Sequence, residues 1–106
     1  MDAMKRYAIL QDGAVVPCDA LTWAQSVASS DRTLEKTSLG VAEVSTVFLG
    51  LDHRLGNGPP LWFETMVFGG KMDQEMDRYT TLHEAKSGHA AMVERVAAAA
   101  LNAVQP

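Results

Sequence analysis

Glu64 is the residue best placed to carry chemistry in this chain. It sits inside the apolar run Leu61-Trp62-Phe63-Glu64-Thr65-Met66-Val67-Phe68, where a carboxylate is at least partly buried. A buried carboxylate must be paired, hydrogen-bonded or protonated. Arg78, on the strand expected next, is its natural partner. The pair reads either as a structural ion pair that fixes strand register or as a site with a shifted pKa. His89 falls on the apolar stripe of a C-terminal helix, where a lone histidine is either a hydrogen-bonded core residue or a ligand group. Gly88 beside it costs about 1 kcal/mol of helix propensity relative to alanine, which suggests close approach by a strand or an aromatic ring. Asp52-His53-Arg54 stands where a strand meets a Gly/Pro loop, a rigid place from which to present polar groups. Neighbouring strand residues point to opposite faces, so Asp52 and His53 form a binding rim more readily than a catalytic pair.

The familiar catalytic patterns are missing. His83 and His89 are six residues apart and do not share a helix face, so the metal motif with histidines at i and i+4 is not formed. The loop Leu55-Gly56-Asn57-Gly58-Pro59-Pro60 has glycines but lacks the Lys and Ser/Thr of a phosphate-binding loop, and it does not open a helix. There is no nucleophile elbow and no Cys-x-x-Cys. Cys18 is the chain's lone cysteine and reads as a small buried or half-buried thiol. No catalytic residue, metal or cofactor is implied by these residues.

The elements that must position the candidates follow from local pattern. Tyr7 to Leu10 and Ala14 to Val16 flank Asp12-Gly13, a hairpin signal, and Pro17 ends the second strand or puts it at an edge. Asp19 is an N-cap for a short helix from Ala20 to Ser29, with Leu21, Trp23, Ala24 and Val27 as its stripe. Leu34 to Leu39 is a strand, Gly40 a turn, and Val41 to Asp52 a long strand. Val44, Thr46 and Phe48 face one way; Val47, Leu49 and Leu51 face the other. Leu61 to Phe68 follows, with Leu61, Phe63, Thr65 and Val67 on one face and Trp62, Glu64, Met66 and Phe68 on the other. Asp77 to Thr80 is a short last strand. Thr81-Leu82-His83-Glu84 is a capping box that opens the long helix, whose stripe runs from Leu82 through Ala85, His89, Met92, Val93 and Val96 to Val104. The expectation is an α+β fold: an antiparallel sheet of about 4–6 strands, with one short helix and a long C-terminal helix packed on it, in a single domain.

At 106 residues the chain has room for one hydrophobic core. Its apolar fraction of 47% and charged fraction of 21% are ordinary for a globular domain. A net charge of −4 argues against a broad nucleic-acid-binding face. A single cysteine cannot build a disulfide framework, which fits a reducing compartment. No run of about 18 apolar residues is present, so no membrane is expected as partner. The apolar part of MDAMKRYAIL is too short for a signal peptide, and the cytoplasm is the expected setting.

The stretches Ser45 to His53 (STVFLGLDH), Pro60 to Gly70 (PLWFETMVFGG) and Arg78 to His89 (RYTTLHEAKSGH) resemble a family of small proteins from phage and prophage genomes. Leu21 to Ala24 resembles a helix upstream in such proteins. The chain departs from the family pattern at Trp62, where an aliphatic residue is usual, and at Thr80, where serine is common. The resemblance implies phage origin and a bacterial host's cytoplasm. It implies no reaction.

Together these observations point to a phage accessory protein that acts by binding, most simply in counter-defence: it would inhibit a host defence protein or sequester a nucleotide-like signal. Asp52, His53, Glu64, Arg78, Tyr79 and His89 form the expected rim, with Arg78 meeting an anionic group and Tyr79 or Phe63 stacking on a ring. Strands apolar on both faces point to a homo-oligomer, because a domain this small has little else to cover a second face. The alternatives are a small metal-dependent hydrolase or nuclease using Asp52, His53, Glu64 and His89, and a structural phage component.

Overall fold

Asp12 and Gly13 turn the chain back on itself with φ of 50° and 83°, the left-handed pair that a two-residue hairpin loop requires. The computed structural model describes residues 6–52 and 58–104. The turn joins β1 (Tyr7–Gln11) to β2 (Ala14–Cys18), which pair antiparallel as a separate two-stranded sheet. Asp19 Oδ1 then accepts from Thr22 N at 2.8 Å and starts α1 (Ala20–Ser29).

The larger sheet is a meander of β3 (Thr33–Leu39), β4 (Ala42–Phe48), β5 (Phe63–Phe68) and β6 (Met76–Tyr79), antiparallel throughout and ordered as in the chain. α2 (Leu82–Val104) packs across one face of it. The capping box is formed as the sequence predicts. Glu84 N donates to Thr81 Oγ1 at 3.0 Å, while Glu84 Oε1 accepts from Thr80 N and Thr81 N, both at 3.1 Å. Among the described residues, antiparallel strands β1–β6, the short helix α1 and the long helix α2 on the sheet make an α+β fold.

Two buried clusters lie under α2. Val44, Val67 and Ala42 meet Met92 and Val96 at one end, and Phe48, Phe63, Trp62 and Ala8 meet Ala85 at the other. Phe48 and Phe63 are register partners whose rings stand 5.3 Å apart, tilted at 59°.

Three features depart from the sequence pattern. The strand expected from Val41 to Asp52 ends at Phe48, because Gly50 adopts φ 71° and redirects the chain. Leu51 then bridges Tyr7, and Ala8 N donates to Gly50 O at 2.8 Å, so the continuation serves β1 instead of the large sheet. A side chain at Gly50 would collide with Ala8 O and the Trp23 indole. Trp62 does not share a face with Glu64 and Met66. It precedes β5 and is buried beside Phe63, where alternation does not apply. α1 packs on β1, and Trp23 Nε1 donates to Leu49 O at 3.1 Å, so the short helix is held by the hairpin and by the chain leaving β4.

Candidate functional site

A connected set of polar groups lies inside the core. Thr46 on β4 and Thr65 on β5 are register partners on the face that α2 covers, and their hydroxyl oxygens are 2.5 Å apart. His89, 1% exposed, descends from α2 onto them. Its Nδ1 lies 2.7 Å from Thr46 Oγ1, and its Nε2 lies 2.9 Å from Thr37 Oγ1 on β3. Glu35 Oε2 stands 3.7 Å from the same Nε2. That carboxylate favours the proton on Nε2, which then donates to Thr37. Thr46 in turn donates to Nδ1 and accepts from Thr65. The relay satisfies both imidazole nitrogens and ties three strands to the helix.

Tyr79 closes the same face from β6. A Cβ at Gly88 would collide with Cε1, Cζ and the hydroxyl of its ring, so glycine is what allows the helix to pass over the tyrosine. Among the described residues the Tyr79 hydroxyl is a buried group that meets no hydrogen-bond partner; the Thr65 side chain lies toward it without bonding geometry. Burial pushes the Tyr79 phenol above its ordinary range, and the Asp77 carboxylate adds to this, while Thr65 and Arg95 partly offset it. With the folded pKa raised, the stability tied to this proton is full below the unfolded tyrosine's pKa of about 10 and is lost as pH rises through the folded value. In a tyrosinate absorbance titration, Tyr79 therefore ionises in a late alkaline step, and Tyr79→Phe removes that step and lessens the alkaline loss of stability. A wild-type titration already complete in the ordinary range would contradict the burial.

Glu64 and Arg78 are register partners on the opposite face of the sheet. Arg78 Nε donates to Glu64 Oε2 at 3.0 Å, with the side chains 31% and 16% exposed respectively. The ion pair expected from sequence is thus present, and it locks β5 to β6. Asp52 lies beyond the end of β4, where its Oδ1 accepts from Leu61 N at 3.0 Å and so joins the two ends of the 53–60 connection. His53 lies outside the described residues.

The structure therefore divides the expected rim. Glu64 and Arg78 share one sheet face, Tyr79 and His89 the other, and Asp52 sits at the sheet's end. Glu64 and His89 cannot ligate one ion from opposite faces, and among the described residues no group of three His, Cys, Asp or Glu side chains is gathered for a metal. Sequence reasoning passed over Thr37, Thr46 and Thr65. The available signal was two threonines at matching mid-strand positions on otherwise apolar faces, with a histidine on the covering helix.

A cavity of about 640 Å³ opens elsewhere, between the hairpin and the start of α2. It is bounded by Tyr7, Val15 and Cys18 on one side and by Trp62, Thr81 and Leu82 on the other. Its described lining contains none of the residues singled out for the rim. No helix is long and apolar enough to cross a membrane among the described residues. Comparison of the chain with protein-family models, with curated proteins and with solved structures returned no match.

Proposed function

We propose that this chain is a phage accessory protein that acts by binding rather than by catalysis, and that it does so as a homodimer built on the uncovered face of the four-stranded sheet. The observation that carries the reading is that face. α2 occupies the other side of the sheet and α1 is held on β1. Phe68 is left 50% exposed at the end of β5, with Met66 two residues before it and Met76 across from Met66 on the same face, while Val47 lies farther along β4 opposite Glu64. Leu49 and Leu51 do not join them, so the face is narrower in its apolar part than strict alternation from Val41 to Asp52 would make it.

The charges on this face balance. Lys36 pairs with Glu43 at 3.4 Å near one edge, and Arg78 with Glu64 at 3.0 Å near the other. A twofold axis running along the strands lays β3 of one copy over β6 of the next, and two neutral, partly apolar sheets stack without a field opposing them. Arg78 is already paired, so it serves this surface as an ion pair and not as a free anion hook.

The phage setting is supported by the resemblance at Ser45 to His53, Pro60 to Gly70 and Arg78 to His89. In that setting the role is counter-defence in the host cytoplasm, by inhibition of a host defence protein or retention of a nucleotide-like signal. The metal-dependent alternative is not favoured, because it needs Glu64 and His89 at one ion.

Native mass spectrometry of the purified chain, alone and after incubation in infected-cell extract, tests the reading. The expected species has twice the 11.5 kDa mass of one chain, and Phe68→Glu reduces it to one chain with unchanged circular dichroism. A wild-type monomer in both samples overturns the dimer, and a large uniform assembly would mark a structural component instead.

A further inference from the structure

We infer that the cavity between the N-terminal hairpin and the first turn of α2 binds a small planar aromatic anion carrying a single negative charge. The site stands apart from the dimer reading, since no residue of its described lining lies on the open sheet face. Its volume of about 640 Å³ falls inside the range of small-molecule sites, roughly 300–1,000 Å³. It exists because the hairpin forms its own sheet, joined to the rest through the Tyr7–Leu51 bridge, so a wedge is left between β1–β2 and α2.

The chemistry of the lining selects the occupant. Tyr7 from β1 and Trp62 ahead of β5 supply aromatic surface, and Val15 and Leu82 complete an apolar wall. Arg6 is the cation of the described lining, and no carboxylate is among those described residues, in a chain where acidic residues outnumber basic ones 13 to 9. Among the described residues no carboxylate pairs with Arg6. An anion at this end therefore meets a guanidinium that has no carboxylate partner among the described residues.

The helix cap sets the charge limit. The amides of Thr80 and Thr81 are already taken by Glu84 Oε1, so they do not receive the ligand. The Thr81 oxygen accepts from Glu84 N, which leaves its own proton free to donate into the cavity. Glu84 stands just behind this hydroxyl. Its repulsion grows with the charge of the ligand, so a multiply charged phosphate chain is disfavoured more than one carboxylate or sulfonate matched to the single charge of Arg6.

Two probes of matched shape test the inference on the full chain: anilinonaphthalene sulfonate, which is anionic, and phenylnaphthylamine, which is neutral. Cys18 also lines the cavity and is the chain's single thiol, so it reports occupancy directly. The sulfonate is expected to bind at one equivalent, to change Trp62 emission and to slow alkylation of Cys18 by iodoacetamide. Arg6→Gln is expected to weaken the sulfonate about tenfold or more and to leave the neutral probe unchanged. Prior modification of Cys18 with a bulky maleimide should block both probes. Absence of binding, binding without protection of Cys18, or an equal effect of Arg6→Gln on both probes would each overturn the proposal.

Discussion

Replacing His89 with alanine lowers the stability of the fold by about 3 kcal/mol, from two effects of similar size. The first is the volume of an imidazole lost from a site that is 1% exposed. The second is the stranding of the hydroxyls of Thr46 and Thr37, which lie 2.7 Å and 2.9 Å from the ring nitrogens. Thr46 keeps its contact with Thr65, so the loss stops short of a fully unsatisfied pair. Urea unfolding followed by tryptophan emission measures it. The companion variant His89→Leu with Thr37→Val, Thr46→Val and Thr65→Val replaces donors and acceptors together by apolar groups of similar shape, and most of the stability returns. A loss below about 1 kcal/mol for His89→Ala would mean that the relay is not formed in solution.

The second large effect reverses a general rule. Alanine in place of a helical glycine normally stabilises by about 1 kcal/mol. At Gly88 the added Cβ meets the Tyr79 ring, and overpacking of this kind costs about 1–3 kcal/mol. Gly88→Ala is therefore expected to destabilise by about 1 kcal/mol net, and Gly88→Val by more, since its branched carbon also disfavours helix. With Tyr79→Ala in the background the obstacle is gone, and Gly88→Ala changes sign to a gain of about 1 kcal/mol. The same effect in both backgrounds would show that the ring moves aside freely.

The parts of this fold that are legible in sequence are those decided within a few residues. Asp19, the Asp12-Gly13 turn and the Thr81 capping box each satisfy backbone groups nearby, so residue type alone announces them. The Glu64–Arg78 pair is also legible, because a carboxylate among apolar strand residues demands a cation on the neighbouring strand. What escapes the sequence is where surfaces meet. Gly50 carries no local mark distinguishing a redirection from a weak point in a strand, yet it sends Leu51 to a different sheet. Trp62 and Phe63 are buried in succession because the hairpin and α2 both reach the chain there, and no periodicity encodes that. Gly88 shows that something approaches the helix; only the fold identifies it as Tyr79. The cavity beside Arg6 belongs to the same class, since its walls come from three separate stretches of chain.

The order of the meander has a consequence for how the protein is made. Each strand of the large sheet pairs with its neighbour in sequence, and α2 follows β6 directly. Such pairings close short loops and favour rapid folding. The element that covers Val44, Phe63 and Val67 nevertheless emerges from the ribosome only after all four strands. A nascent chain that has emerged only as far as β6 can pair its strands but holds that apolar face open to water. For that interval the partly made protein presents two sticky faces in place of one, and its safety against aggregation rests on how quickly α2 is synthesised and docks.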